Sequence, residues 1–244
     1  MSRDFAGSHQ LQWRLPQLRA VASLVVEDRL LLARSDLFSA FDEAALTKVL
    51  AAVEARTYAR NQSIFPAGDD ATEMFVVRNG RVAIGRRSSD GRESLVALME
   101  EGDLFGEMPL FDKQPRVASA RALEPSELLA IPYFVVKACL DERPELLWDV
   151  VALLSNRLRS TDSALADAVF LDVTGRTAKR LLEQAGETDE FILPITQEEL
   201  AGLVGASRER VNKAIAAFIR LGWIEQSERQ YRILKRDRLA QRAR

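Results

Sequence analysis

The chain has 244 residues, with 34 Lys and Arg against 36 Asp and Glu, one His and one Cys. A lone Cys139 excludes an intrachain disulfide framework, a thiolate-held iron–sulfur cluster and a zinc ribbon, and reads as a small core residue. The lone His9 sits in an irregular start, which leaves no His-built metal or haem site for the folded body.

No apolar run reaches membrane-spanning length. Ala20 to Val26 is followed at once by Glu27-Asp28-Arg29, unlike the small-residue cleavage site of a secretory signal. A cytoplasmic protein with no membrane partner is expected. The near-neutral total hides an asymmetry. Residues 34–172 hold 16 Lys and Arg against 23 Asp and Glu, a net of −7. Residues 173–244 hold 14 against 10, a net of +4. An acidic body with a basic end suits a nucleic-acid reader joined to another module.

Residues 1–33 form an N-terminal extension in which Leu18, Val21, Leu24 and Val25 supply a short apolar helical face. A second segment, 34–145, opens with an amphipathic helix expected from about Ala44 to Val53. Between Ser63 and Pro132 come short apolar runs such as Met74-Phe-Val-Val and Leu128-Leu-Ala-Ile. They are punctuated by Gly68-Asp-Asp, Asn79-Gly80, Asp90-Gly91 and Gly102-Asp103. Asn-Gly and Asp-Gly supply the positive φ angles of tight hairpins, so this texture predicts an antiparallel barrel or roll.

Within it, Phe105-Gly-Glu-Met-Pro-Leu-Phe-Asp-Lys-Gln-Pro-Arg116 sets one carboxylate nine residues before one guanidinium. Glu107 can accept from sugar hydroxyls, Arg116 can hold a phosphate in its planar fork, and Gly106 lets backbone approach the anion. A ribose phosphate needs both kinds of partner. A surface Glu and Arg flanking a turn is the plainer alternative.

From 146 to 172 the period is helical. Leu147, Val151, Leu154, Leu158, Thr161, Leu165 and Ala168 repeat at spacings of four and three, a heptad seam that predicts dimerisation through one partner helix. From 173 to 244 the pattern is short helices and a small hairpin. Thr196-Gln-Glu-Glu199 is a capping box, Gly205-Ala206 a break, and Ser207 a cap for a helix from Arg208 to Leu221. Arg208, Glu209 and Arg210 occupy that helix's first turn, the position from which a second helix reaches base edges. Ser227 to Gln230 reads as the turn of a two-stranded wing. The Arg-rich tail, 235–244, reads either as a phosphate tracker or as a solvated end.

Taken in order, these parts resemble the cyclic-AMP receptor protein family of bacterial transcription regulators over roughly residues 36–236. The carrying motifs are the glycines at 68, 80, 91, 102 and 106, Phe170-Leu-Asp-Val-Thr-Gly-Arg176, and the thirteen residues from Thr196 to Arg208. The resemblance implies an α+β fold: an N-terminal cyclic-nucleotide-binding β-roll, a long dimerisation helix and a C-terminal winged helix-turn-helix. It implies cyclic AMP as allosteric ligand, with Gly106 and Glu107 on the ribose, Arg116 on the phosphate, and Arg157 and Thr161 beside the ligand.

Two positions depart from the family. Val117 stands where Ser or Thr usually gives phosphate a hydroxyl. Asp162 stands where a small polar residue of the second subunit usually lies near adenine. The DNA-facing set is Thr196, Ser207, Arg208, Glu209, Arg210 and Lys213, with Lys213 in place of a frequent second arginine. A palindromic site with TGTGA-like half-sites follows, with RNA polymerase as a further partner and Glu187-Thr-Asp-Glu190 near a loop some relatives use to touch it. The chain is not read as an enzyme, since no nucleophile–base pair or metal cluster is visible. The competing readings are a nucleotide-independent DNA-binding regulator and a cyclic-nucleotide-binding regulatory subunit.

Overall fold

The computed structural model describes residues 26–87 and 93–244. His9, the Leu18–Val25 face and the Asp90-Gly91 turn lie outside the described residues. A helix over residues 26–34 leads through a 3-10 turn (Phe38–Ala40) to the helix Glu43–Leu50. The Asp42 carboxylate caps that helix by accepting from Ala45 N–H at 2.9 Å. The helix ends short of Val53, because strand β1 already begins at Glu54.

Eight strands follow: β1 (Glu54–Tyr58), β2 (Ser63–Phe65), β3 (Glu73–Asn79), β4 (Val82–Arg87), β5 (Glu93–Met99), β6 (Leu104–Phe105), β7 (Ser119–Ala122) and β8 (Ser126–Pro132). They form two antiparallel four-stranded sheets, ordered β1-β8-β3-β6 and β2-β7-β4-β5. Alternation along β3 and β8 explains their burial on both faces. Phe75, Val77, Leu128 and Ala130 point between the sheets, where they meet Phe105 and Val82. Met74, Val76, Leu129 and Ile131 point outward, under the helices Glu43–Leu50 and Tyr133–Glu142 and the start of the long helix. Cys139 is buried in that second layer.

The long helix runs Leu147–Phe170, about 36 Å at ~1.5 Å per residue. Val150 and Leu153 turn inward onto the roll. Leu147, Val151, Leu154, Leu158 and Leu165 lie exposed on the other side, Leu158 at 62%. Thr161 and Ala168 are exposed on that seam as well.

Beyond Leu171 a new helix, Val173–Ala185, starts at Asp172, whose carboxylate accepts from Gly175 N–H at 2.8 Å. Strand β9 (Glu190–Ile192), helices Gln197–Val204 and Arg208–Arg220, and strands β10 (Ile224–Ser227) and β11 (Gln230–Ile233) complete a winged helix-turn-helix. The expected two-stranded wing is a three-stranded sheet, β10-β11-β9, because β9 pairs with β11 through Phe191 and Tyr231. The class is α+β.

The tail corrects an expectation. Residues Arg236–Arg242 form a helix with Leu239 fully buried, not a loose solvated end, and Lys235 and Arg238 remain exposed. Arg236 Nε donates to Asp189 Oδ1 at 2.8 Å and its Nη1 to Gly186 O at 2.9 Å. Arg242 ion-pairs with the Asp172 carboxylate.

The cluster that fills the C-terminal domain, including Leu200, Val211, Phe218 and Tyr231, also takes in Ala83, Leu95 and Leu123 from the roll. Leu95 on β5 lies so close to the helix Gln197–Val204 that a Cβ at Gly202 would sit 3.0 Å from its Cγ. The two domains therefore share buried apolar surface.

Candidate functional site

The loop that carries Gly106 and Glu107 is a turn from β6 into the five-residue helix Met108–Asp112. Gly106 takes φ +78°, and a Cβ there would meet Arg116 Nη1 at 2.5 Å. Only glycine combines that backbone with so close an arginine.

Arg116 is buried at the head of β7 and held from several sides. Its Nη1 donates to Gly106 O at 2.7 Å and to the Tyr133 hydroxyl at 3.2 Å, and its Nη2 donates to Glu73 O at 2.7 Å. Its Cζ lies 4.0 Å from the Phe65 ring centroid, a cation–π contact. Burial is the largest influence on its pKa and lowers it, while Tyr133, Glu73 and Glu107 oppose the shift. A guanidinium still keeps its charge at neutral pH. Its Nε is buried with no partner.

Glu107 is fully buried. Its Oε1 accepts from Arg157 Nη1 of the long helix at 2.5 Å, and Arg157 Nη2 donates to Leu104 O at 2.6 Å. Its Oε2 has no partner. A buried polar atom left unpaired costs about 1–3 kcal/mol. One loop thus presents an unsatisfied acceptor and an unsatisfied cationic donor.

Glu107 and Arg116 line a cleft of about 980 Å³ together with Phe65, Val117, Arg157 and Thr161. Val117 is half-exposed there and offers no hydroxyl. Thr161 Oγ1 donates to Arg157 O at 2.9 Å. Asp162 is exposed on the long helix and is not part of the cleft of its own chain. The cleft continues along Ala164, Leu165 and Ala168 to Lys179 and Val204 of the C-terminal domain. Among the described residues, no group of three or more His, Cys, Asp or Glu could hold a metal ion. The donor set suits a small organic anion carrying hydroxyls.

At the other end of the chain, Thr196 accepts from Glu199 N–H at 3.2 Å and Glu199 Oε2 accepts from Thr196 N–H at 2.7 Å, a closed capping box. Gly205 ends that helix at φ +67°. Ser207 Oγ caps the next helix through Arg210 N–H at 3.4 Å. Val211, Ala214, Ile215 and Phe218 anchor this helix, leaving Arg208, Glu209, Arg210 and Lys213 exposed. Glu209 accepts from Lys213 Nζ at 2.7 Å, and this contact, the largest cause, lowers the Glu209 pKa.

Sequence reasoning missed Tyr133, Phe65 and the Glu73 carbonyl, which hold Arg116, and Arg242, which pairs with Asp172; it named Arg176 in the motif Phe170–Arg176 but not the bonds it makes. Arg176 donates from Nε to Val204 O at 2.8 Å and from Nη1 to Leu171 O at 2.6 Å. No local pattern marks such contacts, since the partners stand 5 to 70 residues apart.

Two family descriptions match the chain: a cyclic nucleotide-binding domain over residues 55–143 and a Crp-like helix-turn-helix domain over residues 175–242. A CRP-like cAMP-activated global transcriptional regulator of Mycobacterium tuberculosis is 36% identical over 221 residues, covering 88% of this chain and 99% of the relative. The cAMP-activated global transcriptional regulator Vfr of Pseudomonas aeruginosa is 33% identical over 189 residues, covering 73% and 88%. Among solved structures, the c-di-GMP-responsive global regulator CLP of Xanthomonas campestris is 26% identical with a TM-score of 0.69, covering 79% of this chain and 99% of that one.

Proposed function

The chain belongs to the CRP/FNR family of transcription regulators, and from that premise we propose that it is a homodimer switched by cyclic AMP, which then binds palindromic promoter DNA. The observation that carries the ligand reading is the pair of buried, unpartnered atoms, Glu107 Oε2 and Arg116 Nε, beside one cleft. A ribose hydroxyl supplies the missing donor and a cyclic phosphate the missing acceptor. The names of the relatives in M. tuberculosis and P. aeruginosa favour cyclic AMP among such ligands.

The exposed seam from Leu147 to Ala168 suits a second copy of the chain, because Leu158 and Leu165 stay more than half exposed. Thr161 belongs to both surfaces, lining the cleft and lying on the seam. In this reading Asp162, exposed and not part of its own cleft, serves the partner's.

A ligand touching Thr161 therefore acts on helix pairing. The hinge at Leu171 and Asp172 passes the change to the two Arg208–Arg220 helices. In this mechanism they reach successive major grooves ~34 Å apart. Arg208 reads guanine in a TGTGA-like half-site and Glu209 accepts from cytosine N4, with RNA polymerase as a further contact in the cytoplasm.

Calorimetry with cyclic AMP, cyclic GMP and cyclic di-GMP on the full chain tests the ligand. DNA titration with and without saturating cyclic AMP tests the switch. A second reading has its own support. Arg157 already neutralises Glu107, and Val117 offers phosphate no hydroxyl, which suits a nucleotide-independent regulator. Equal DNA affinity in both titrations decides for it.

A further inference from the structure

The phosphate clamp is over-determined on one side. Arg116 has five N–H bonds. Two on Nη1 and one on Nη2 are matched by Gly106 O, Tyr133 Oη and Glu73 O. The remaining donors are the buried Nε and the second N–H of Nη2.

Of the three acceptors, two are carbonyls fixed by backbone. The third is a side-chain hydroxyl, that of Tyr133. Tyr133 opens the helix Tyr133–Glu142, with its backbone N–H on Thr72 O at 2.8 Å. Its hydroxyl donates to Gly106 O at 2.5 Å while accepting from Arg116 Nη1 at 3.2 Å. Carbonyl, hydroxyl and guanidinium close a triangle.

We propose that Tyr133 is a positioning residue of the phosphate clamp: its hydroxyl locks the Nη1 edge of Arg116 and so fixes which edge meets the ligand's phosphate. This rests on the nucleotide reading above and adds to it a stereochemical preference. The two exocyclic oxygens of a cyclic phosphodiester are not equivalent. A guanidinium free to rotate pairs with either, whereas one held on three sides presents its fork along a single direction. The hydroxyl does this as a neutral group, because burial, the largest cause, pushes its pKa up to about 12. It therefore keeps the proton it donates to Gly106 across the physiological range.

The test is Tyr133→Phe in the full-length protein, titrated with cyclic AMP and with its two phosphorothioate diastereomers, in which sulfur replaces one exocyclic oxygen or the other. The wild type should bind one diastereomer better than the other. Tyr133→Phe keeps the ring and removes the hydroxyl. It should bind cyclic AMP roughly two- to tenfold more weakly, as expected for one lost hydrogen bond, and bring the ratio between the diastereomers toward one. The ratio is internal to one folded sample, so general loosening lowers both affinities and leaves it unchanged. An unchanged ratio in Tyr133→Phe, or no preference in the wild type, overturns the proposal and leaves nucleotide binding standing. A wild type that binds no cyclic nucleotide overturns the nucleotide reading and this one with it.

Discussion

Arg116 and Arg208 are both arginines, and their surroundings give them opposite tasks. Arg116 is buried and held by three oxygens, so its guanidinium is fixed in one orientation. Arg116→Leu should abolish cyclic-nucleotide binding in a calorimetric titration while the fold persists, because the phosphate then enters a partly buried site without its charge partner. Arg208 is exposed at the start of its helix with its fork free to find a guanine edge. Arg208→Ala should cost ~1–3 kcal/mol on the cognate palindrome and blur one guanine position. A binding assay on cognate and scrambled duplexes checks this, and equal losses on both would displace Arg208 from the base edge. Glu107 and Arg116 were legible in the sequence because a carboxylate, a glycine and a guanidinium in one loop already specify the chemistry. Tyr133 was not, since a tyrosine after Pro132 looks like any helix start until the fold brings it 17 residues back to Arg116.

The seam of the long helix was legible from its heptad spacing, and its exposed leucines carry the element's main consequence. Leu158→Asp puts a carboxylate into that stripe and should leave a folded monomer in sedimentation, where the wild type is expected to run as a dimer. The hinge was less legible. Its ends follow from Phe170-Leu-Asp, but its brace comes from Arg242 at the far end of the chain, which looked solvated.

Asp172 gives that brace a pH dependence. The Gly175 N–H, the largest cause, holds its pKa below the usual 3.8, and Arg242 acts in the same direction. A depressed carboxylate stabilises the fold above its unfolded pKa and loses that contribution as pH falls through its folded value. Asp172→Asn keeps a good helix cap but no charge. Thermal midpoints of the two proteins should therefore differ at pH 7 and converge below about pH 3.8.

On the scale of the whole molecule, the docking of the helix-turn-helix on β5 could not be read from the sequence. Gly202 and Leu95 stand in separate segments, each explained by its own domain. Their contact joins Ala83, Leu95 and Leu123 to the C-terminal core, so heat should unfold both domains in one calorimetric transition. Leu95→Asp buries a carboxylate against Gly202 and should split that transition in two. A single unaltered transition in the variant would show that the shared surface contributes nothing to cooperativity.

The Glu107–Arg157 ion pair has a consequence in charge counting. With Arg116 beside it, the trio Glu107, Arg157 and Arg116 of one chain carries two cations and one anion, a local surplus of one positive charge. A cyclic phosphodiester brings one negative charge and closes the count. A linear monophosphate brings close to two at neutral pH, because its second proton leaves near pH ~6, and the extra charge finds no counterpart there. If the proposed ligand binds there, its ring closure is read as charge as well as shape. A cell rich in linear adenine nucleotides would leave such a switch untouched.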